Sequence, residues 1–186
     1  MKLLIVFASQ EGQTAKIALH VKSCHADNLE AVDLADVTAF PLIDVPGASY
    51  DTVMVAAPIY VQHHLDSVAE FVKTHRETLA MMPSMFVSVR LAAADRSPTA
   101  REALQHLVEL FIEETGWQPE ATELVPGSLM YSHYGFFKRW MLYWLMRKAG
   151  VRTKTSQDYE YTNWDDVAAM ADRFWELGAF AHRRLV

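Results

Sequence analysis

The chain has 186 residues, about half of them apolar, and a formal net charge of −6; that is enough apolar material for the core of one domain and counts against disorder. Its single cysteine, Cys24, excludes an internal disulfide and a multi-cysteine metal or iron–sulfur site. Charge is segregated: residues 124–157 hold no acid but contain Lys138, Arg139, Arg147, Lys148, Arg152 and Lys154, so this stretch is +6 and the remainder −12. Such a pattern points to an anionic partner or a membrane surface.

Strand and helix patterns alternate along the chain. Leu3–Phe7 is an apolar run that reads as a buried strand, with no charged leader or cleavage site ahead of it, as expected of a cytoplasmic protein. A polar loop, Ser9–Thr14, runs directly into a helix from about Gln13 to Ser23, with Cys24 near its end as a structural thiol. Ala31–Leu34 is a weak second strand and Thr52–Ala57 a strong third. A helix from about Leu65 to Leu79 precedes a strand at Ser84–Val89. Pro98 opens a helix whose Leu104, Leu107, Val108 and Phe111 follow the spacing of one buried face. A fifth strand falls near Thr122–Val125. The last helix begins with Thr162 as its N-cap, Asp165 and Asp166 in its first turn, and an apolar stripe of Val167, Ala168, Ala171, Phe174 and Trp175. This alternation predicts one domain over residues 1–186, with a parallel sheet between two helical layers. Ligands of such sheets lie beyond the carboxyl ends of the strands, which gathers the loops Ser9–Thr14, Pro58–His64 and Arg90–Ser97 around one site.

The first of these loops carries the clearest chemistry. Backbone N–H groups at a helix N-terminus, joined by Ser and Thr hydroxyls, form an anion cradle suited to a terminal phosphate. Gly12 lets the backbone close around a ligand. The loop lacks the Lys of a Walker A site and the three glycines of a dinucleotide fingerprint. Neutral donors alone suit a mononucleotide, with FMN the first candidate; an ordinary strand-to-helix turn is the alternative. In the Ala57–His64 loop, backbone atoms can reach the edge of a flat heterocycle, and Tyr60 can either stack on it, which lowers the potential of a flavin, or pack on the surface. Neither His63 nor His64 has the companions of a metal set, so the pair reads as solvated or as hydrogen-bonding a cofactor or substrate. No nucleophile elbow supports hydrolase chemistry, and no motif supports nucleic-acid binding. Glu113–Glu114 and Asp165–Asp166 read as surface charge.

Residues 127–161 are too long for an ordinary connection, and long loops in compact domains are usually functional. Within them Trp140–Met146 is an apolar aromatic run with basic flanks, far short of the roughly 20 residues that span a bilayer. It suits an interfacial helix at the headgroup boundary, or a helix packed on the core or in a homo-oligomer interface.

These residues carry a resemblance to the flavodoxin-like superfamily, and more closely to the menaquinone-dependent protoporphyrinogen IX dehydrogenases. It covers nearly the whole chain: Phe7–Ala18, Glu70–His75 leading into Met82–Ser84, and above all Gly127–Leu129, Tyr131–Tyr134, Phe137–Arg139 and Tyr161–Asp165. Two stretches, Met130–Phe136 and Leu91–Arg96, are less basic than the family pattern. The resemblance implies a doubly wound five-stranded parallel sheet of order 2-1-3-4-5 with an insertion at 127–161 near the fifth strand. It implies FMN held by Ser9, Gln10, Glu11, Gly12, Gln13 and Thr14, with its ring near Pro58, Ile59, Tyr60, Val61, Gln62 and His63 and near Val89, Arg90, Leu91 and Ala92. It further implies oxidation of protoporphyrinogen IX at the flavin, without an acid–base residue or metal, and electron transfer to a membrane quinone in heme biosynthesis. Tyr131, His133, Lys138, Arg139 and Trp140 then face substrate propionates or the inner face of the cell membrane, in a peripheral contact through residues 131–154. A quinone or small-molecule reductase using another donor, and an electron carrier without its own substrate, are the rival classes. A carrier would present an acidic docking face, against which the basic segment counts.

Overall fold

A computed structural model describes residues 1–25, 31–40, 49–60, 63–90, 97–129 and 159–185. The elements in chain order are β1 (Leu3–Phe7), α1 (Gln13–Cys24), β2 (Val32–Asp36), β3 (Thr52–Tyr60), β4 (His63–His64), α2 (Asp66–Leu79), β5 (Ser84–Arg90), α3 (Pro98–Thr115), β6 (Ala121–Pro126), β7 (Ser128–Leu129), β8 (Tyr159–Glu160) and α4 (Trp164–Leu185). The five long strands are parallel and run β2-β1-β3-β5-β6 across the sheet, the doubly wound order expected. β4 adds a short antiparallel pairing to the end of β3.

Successive residues of each strand face opposite layers. Leu4, Val6, Val53, Val55 and Phe86 pack against α2 and α3, together with Phe71, Val108, Phe111 and Trp117. Leu3, Ile5, Met54 and Val87 face α1 and α4, against Ile17, Val21, Val167, Met170 and Phe174. The central strands are buried on both faces, which is why they read as continuous apolar runs. Cys24 packs beside the second of these clusters; burial and the neighbouring Asp172 carboxylate push its thiol pKa up, against redox reactivity.

Two local expectations need correction. Pro58 and Ile59 do not start a loop, because β3 continues through Tyr60 and turns back into β4. The proline is tolerated for a geometric reason. Ala56 accepts from the Ala8 N–H at 3.2 Å, so residue 58, two positions on, turns its nitrogen toward the same side, where β1 has already ended. Thr162 is likewise not the cap of α4. Its hydroxyl donates to the Pro126 carbonyl at 2.6 Å, and Asn163 Oδ1 instead accepts from the N–H groups of Asp165 (3.1 Å) and Asp166 (3.5 Å). Asn163→Ala is therefore expected to cost about 1 kcal/mol of stability, read as a lower midpoint in urea with an unchanged slope.

Candidate functional site

The carboxyl ends of β1, β3 and β5 lie along one sheet edge, in the register Phe7 opposite Ala56 and Pro58 opposite Val89. At the first of these ends, Gly12 sits at the N-cap of α1 with φ +87°, a left-handed conformation that favours glycine. Among the described residues nothing lies within 4 Å of where its Cβ would stand, so backbone conformation, not crowding, selects the glycine. Ser9 Oγ accepts from the N–H groups of Gly12 (3.1 Å) and Ala15 (3.3 Å), which folds the loop over the helix start. Its hydroxyl hydrogen remains available to a ligand. Helix geometry leaves the first-turn N–H groups of Gln13 and Thr14 without intrahelical acceptors. No acidic side chain occupies that first turn, so the positive end of the helix dipole is not offset there.

Two supports were not anticipated. Ser9 N–H donates to Thr38 Oγ1 at 3.0 Å, and Thr38 is itself held by its own N–H bonding to Asp36 Oδ1 at 2.9 Å. The Asp36-Val37-Thr38 turn after β2 thus braces the loop after β1, and the Asp two residues before a Thr was the available signal. The second support is Gln13, which is buried. Its Nε2 donates to Thr162 Oγ1 at 2.8 Å and Glu160 Oε1 at 3.2 Å. Glu160 also lies 3.9 Å from Lys16 Nζ. Among the described residues no donor reaches the buried Gln13 Oε1. The first turn of α1 is in this way tied to the β7–β8 pair, in which Ser128 stands opposite Glu160 and Leu129 opposite Tyr159.

The other predicted residues distribute as follows. Gln10 is exposed and Glu11 half-buried in the same loop, and Thr14 is buried in the first turn of α1. Pro58 and Ile59 are buried in β3; Tyr60 ends that strand and pairs with His63 of β4. Val89 points into the core beside α1 and α4, and its strand position lies opposite Pro58 and Val125. Arg90, half-buried, ends β5 and passes its carbonyl to Gly127 N–H at 3.1 Å. Burial lowers the guanidinium pKa. His64 is not solvated: its Nε2 lies 3.1 Å from Ser88 Oγ, and its ring packs against Phe86 and Phe111. Among the described residues no cluster of His, Cys, Asp and Glu could hold a metal. Val61, Gln62, Leu91, Ala92, Tyr131, His133, Lys138, Arg139 and Trp140 lie outside the described residues.

A left-handed glycine loop leading into a helix N-terminus, at the switch point of a 2-1-3-4-5 sheet, points to a class, and the chain belongs to it: the flavodoxin domain family, whose model matches residues 4–156. It is 34% identical over 174 residues to the protoporphyrinogen IX dehydrogenase (quinone) of Escherichia coli K12, covering 92% of this chain and 93% of that protein. The protein of the same name from Leishmania major is 27% identical over 180 residues, covering 95% of this chain and 75% of that one. Oxidised flavodoxin 1 from Bacillus cereus superposes with a TM-score of 0.51 at 11% identity, over 95% of this chain and 98% of that one, which shows the shared fold.

Proposed function

We propose that this chain is an FMN-dependent oxidoreductase that oxidises protoporphyrinogen IX to protoporphyrin IX and passes the electrons to a membrane quinone. The observation that carries it is the 34% identity, along 92% of the chain, to a protein that does this by name. The loop fits FMN on two counts. Among the described residues nothing crowds Gly12 before α1, which leaves room for a phosphate, and none donates to the buried Gln13 Oε1, which offers an acceptor to a ribityl hydroxyl. Bound FMN supplies two-electron chemistry, accepting a hydride from one reactant and returning it to another.

The chain's own work is binding and orientation. The Ser9 hydroxyl and the amides opening α1 hold the phosphate end, with Gln10, Glu11 and Thr14 around it. The ends of β3 and β5, from Pro58 to His63 and from Val89 to Ala92, frame the ring. Conversion of protoporphyrinogen IX to protoporphyrin IX removes six electrons and six protons, so bound FMN would supply it in three two-electron cycles, each consuming one quinone, with the protons released to quinone and solvent and no general base assigned to the chain. We assign residues 127–161 to substrate and membrane, with Tyr131, His133 and Trp140 at the boundary. Lys138 and Arg139 receive propionates or anionic headgroups, consistent with the +6 charge of residues 124–157. Among the described residues no helix is long and apolar enough to cross a membrane, and the association assigned is peripheral.

The test is an anaerobic fluorescence assay of FMN-loaded protein with protoporphyrinogen IX and a menaquinone analogue. Porphyrin formation that requires protein, FMN and quinone together is expected. A flavin-loaded protein that forms none overturns the substrate assignment. The double substitution Lys138→Ala, Arg139→Ala is expected to retain FMN and weaken co-sedimentation with anionic vesicles roughly thirtyfold, at about 1 kcal/mol per basic residue. Unchanged sedimentation and an unchanged KM for the porphyrinogen would remove the role given to this pair.

A further inference from the structure

Arg90 is the last residue of β5, flanked by Pro58 and Ile59 of β3 on one side and by Pro126 and Gly127 on the other. It is half-buried, and no carboxylate, carbonyl or hydroxyl among the described residues accepts from its guanidinium. Three basic residues near solvent are paired instead. Lys2 pairs with Asp33, Lys73 with Glu114 and Arg173 with Glu123, all at 3.0 Å or less and all near solvent. A partly desolvated cation without a counter-charge is costly, and sites that keep one commonly have the charge supplied by a ligand.

Strand spacing indicates which part of the ligand. The phosphate cradle lies at the end of β1, and β3 separates β1 from β5, so Arg90 stands two strand spacings away, roughly 10 Å along the sheet edge. A phosphate held at the first strand does not reach it, whereas the ring at the far end of the ribityl chain does. Two electrons and one proton convert the neutral flavin ring to a monoanion whose charge is centred on the N1–C2=O edge. A planar guanidinium matches such an edge with two parallel hydrogen bonds.

We propose that Arg90 is the electrostatic partner of the reduced flavin, binding its N1–C2=O edge and raising the two-electron potential of the cofactor. This inference rests on the FMN assignment above. The guanidinium acts on the reduced form far more than on the oxidised one, because only the former carries the negative charge. It also opposes the lowering that an aromatic ring stacked on the flavin face would produce, so the poise of the cofactor is set by a cation at the end of β5.

The experiment compares FMN-loaded wild type with Arg90→Gln and Arg90→Lys by spectroelectrochemical titration, with binding of oxidised FMN followed by fluorescence quenching. Arg90→Gln is expected to bind oxidised FMN within about threefold of wild type and reduced FMN 10- to 100-fold more weakly. That ratio corresponds to a midpoint lowered by about 30–60 mV, at about 30 mV per tenfold for a two-electron couple. Arg90→Lys is expected to recover part of the fall, as a point charge without the planar fork. A midpoint unchanged in Arg90→Gln overturns the proposal, and a raised KM for the porphyrinogen alongside it would assign Arg90 to a substrate carboxylate instead. A wild-type chain that takes up no FMN would overturn the cofactor assignment itself, an outcome distinct from a potential that does not move.

Discussion

Gln13→Glu is expected to reduce FMN affinity at least 100-fold at pH 7, equivalent to about 2.7 kcal/mol. The side chain sits in the first turn of α1 and is buried, with its amide nitrogen 3.2 Å from Glu160 Oε1 and 2.8 Å from Thr162 Oγ1. A carboxylate there loses both donors and faces the Glu160 carboxylate across the former hydrogen bond. It also meets the phosphate with like charge. The pH dependence follows in sign. Repulsion from Glu160 and burial raise the pKa of the introduced acid in the folded chain. Its penalty is therefore absent below its unfolded pKa, near 4, and grows as pH rises through the folded value. Titrating FMN binding and urea stability from pH 4 to pH 8 checks this, with the largest gap from wild type at the alkaline end. Gln13→Met, which loses the hydrogen bonds without adding charge, is expected to bind FMN about tenfold more weakly with no such pH slope. A Gln13→Glu protein that binds FMN like wild type at pH 7 would show that the phosphate does not sit at this helix.

Phe86→Ala is expected to be the most destabilising single truncation in the sheet, at about 3–5 kcal/mol. Phe86 is fully buried in the middle of β5. Its ring stacks on Phe111 at 4.5 Å and 7°, meets Trp117 edge-on at 6.1 Å, and contacts the His64 ring at 5.0 Å. Removing it leaves a cavity bounded by three aromatic rings that cannot collapse without moving α3. Calorimetry should record a fall in Tm on the order of 10–15 °C for a chain of this size. His64, which rests on Phe86 and bonds Ser88, shares that support, so the paired ends of β3 and β4 are expected to exchange amide hydrogens faster in the variant.

Much of this architecture is legible from residue pattern. Leu3–Phe7 is an uninterrupted apolar run and Ser84–Val89 a largely apolar one, with only Ser84 and Ser88 polar, because both faces of the sheet are covered, and Pro98 after Ser97 marks the start of α3, where Ser97 Oγ accepts from Ala100 N–H at 3.3 Å. Gly12 is legible for the same kind of reason, a backbone requirement written in one residue. Sequence pattern is silent where the determinant is a distant partner. The Gln13–Glu160 contact joins residues 147 positions apart, and His64 finds Ser88 across 24; a histidine beside another histidine looks solvent-facing until the strand that receives it is known. The extension of β3 past Pro58 is missed because proline breaks a central strand by propensity, and only the early end of β1 removes the conflict. Thr162 looks like a cap because threonine caps helices well; its recruitment by Gln13 and Pro126 passes the task to Asn163.

The β7–β8 pair gives the chain a property of modularity. Leu129 and Tyr159 stand opposite each other, and Tyr161 N–H closes on the Gly127 carbonyl at 3.1 Å, so the path out of β6 is already joined to the path into α4 before residue 130 begins. Doubling the length of a chain held between fixed ends costs only about 0.6 kcal/mol. The ends of that stretch are thereby fixed by the β7–β8 pairing, so its length can change at little cost to the fold that flanks it.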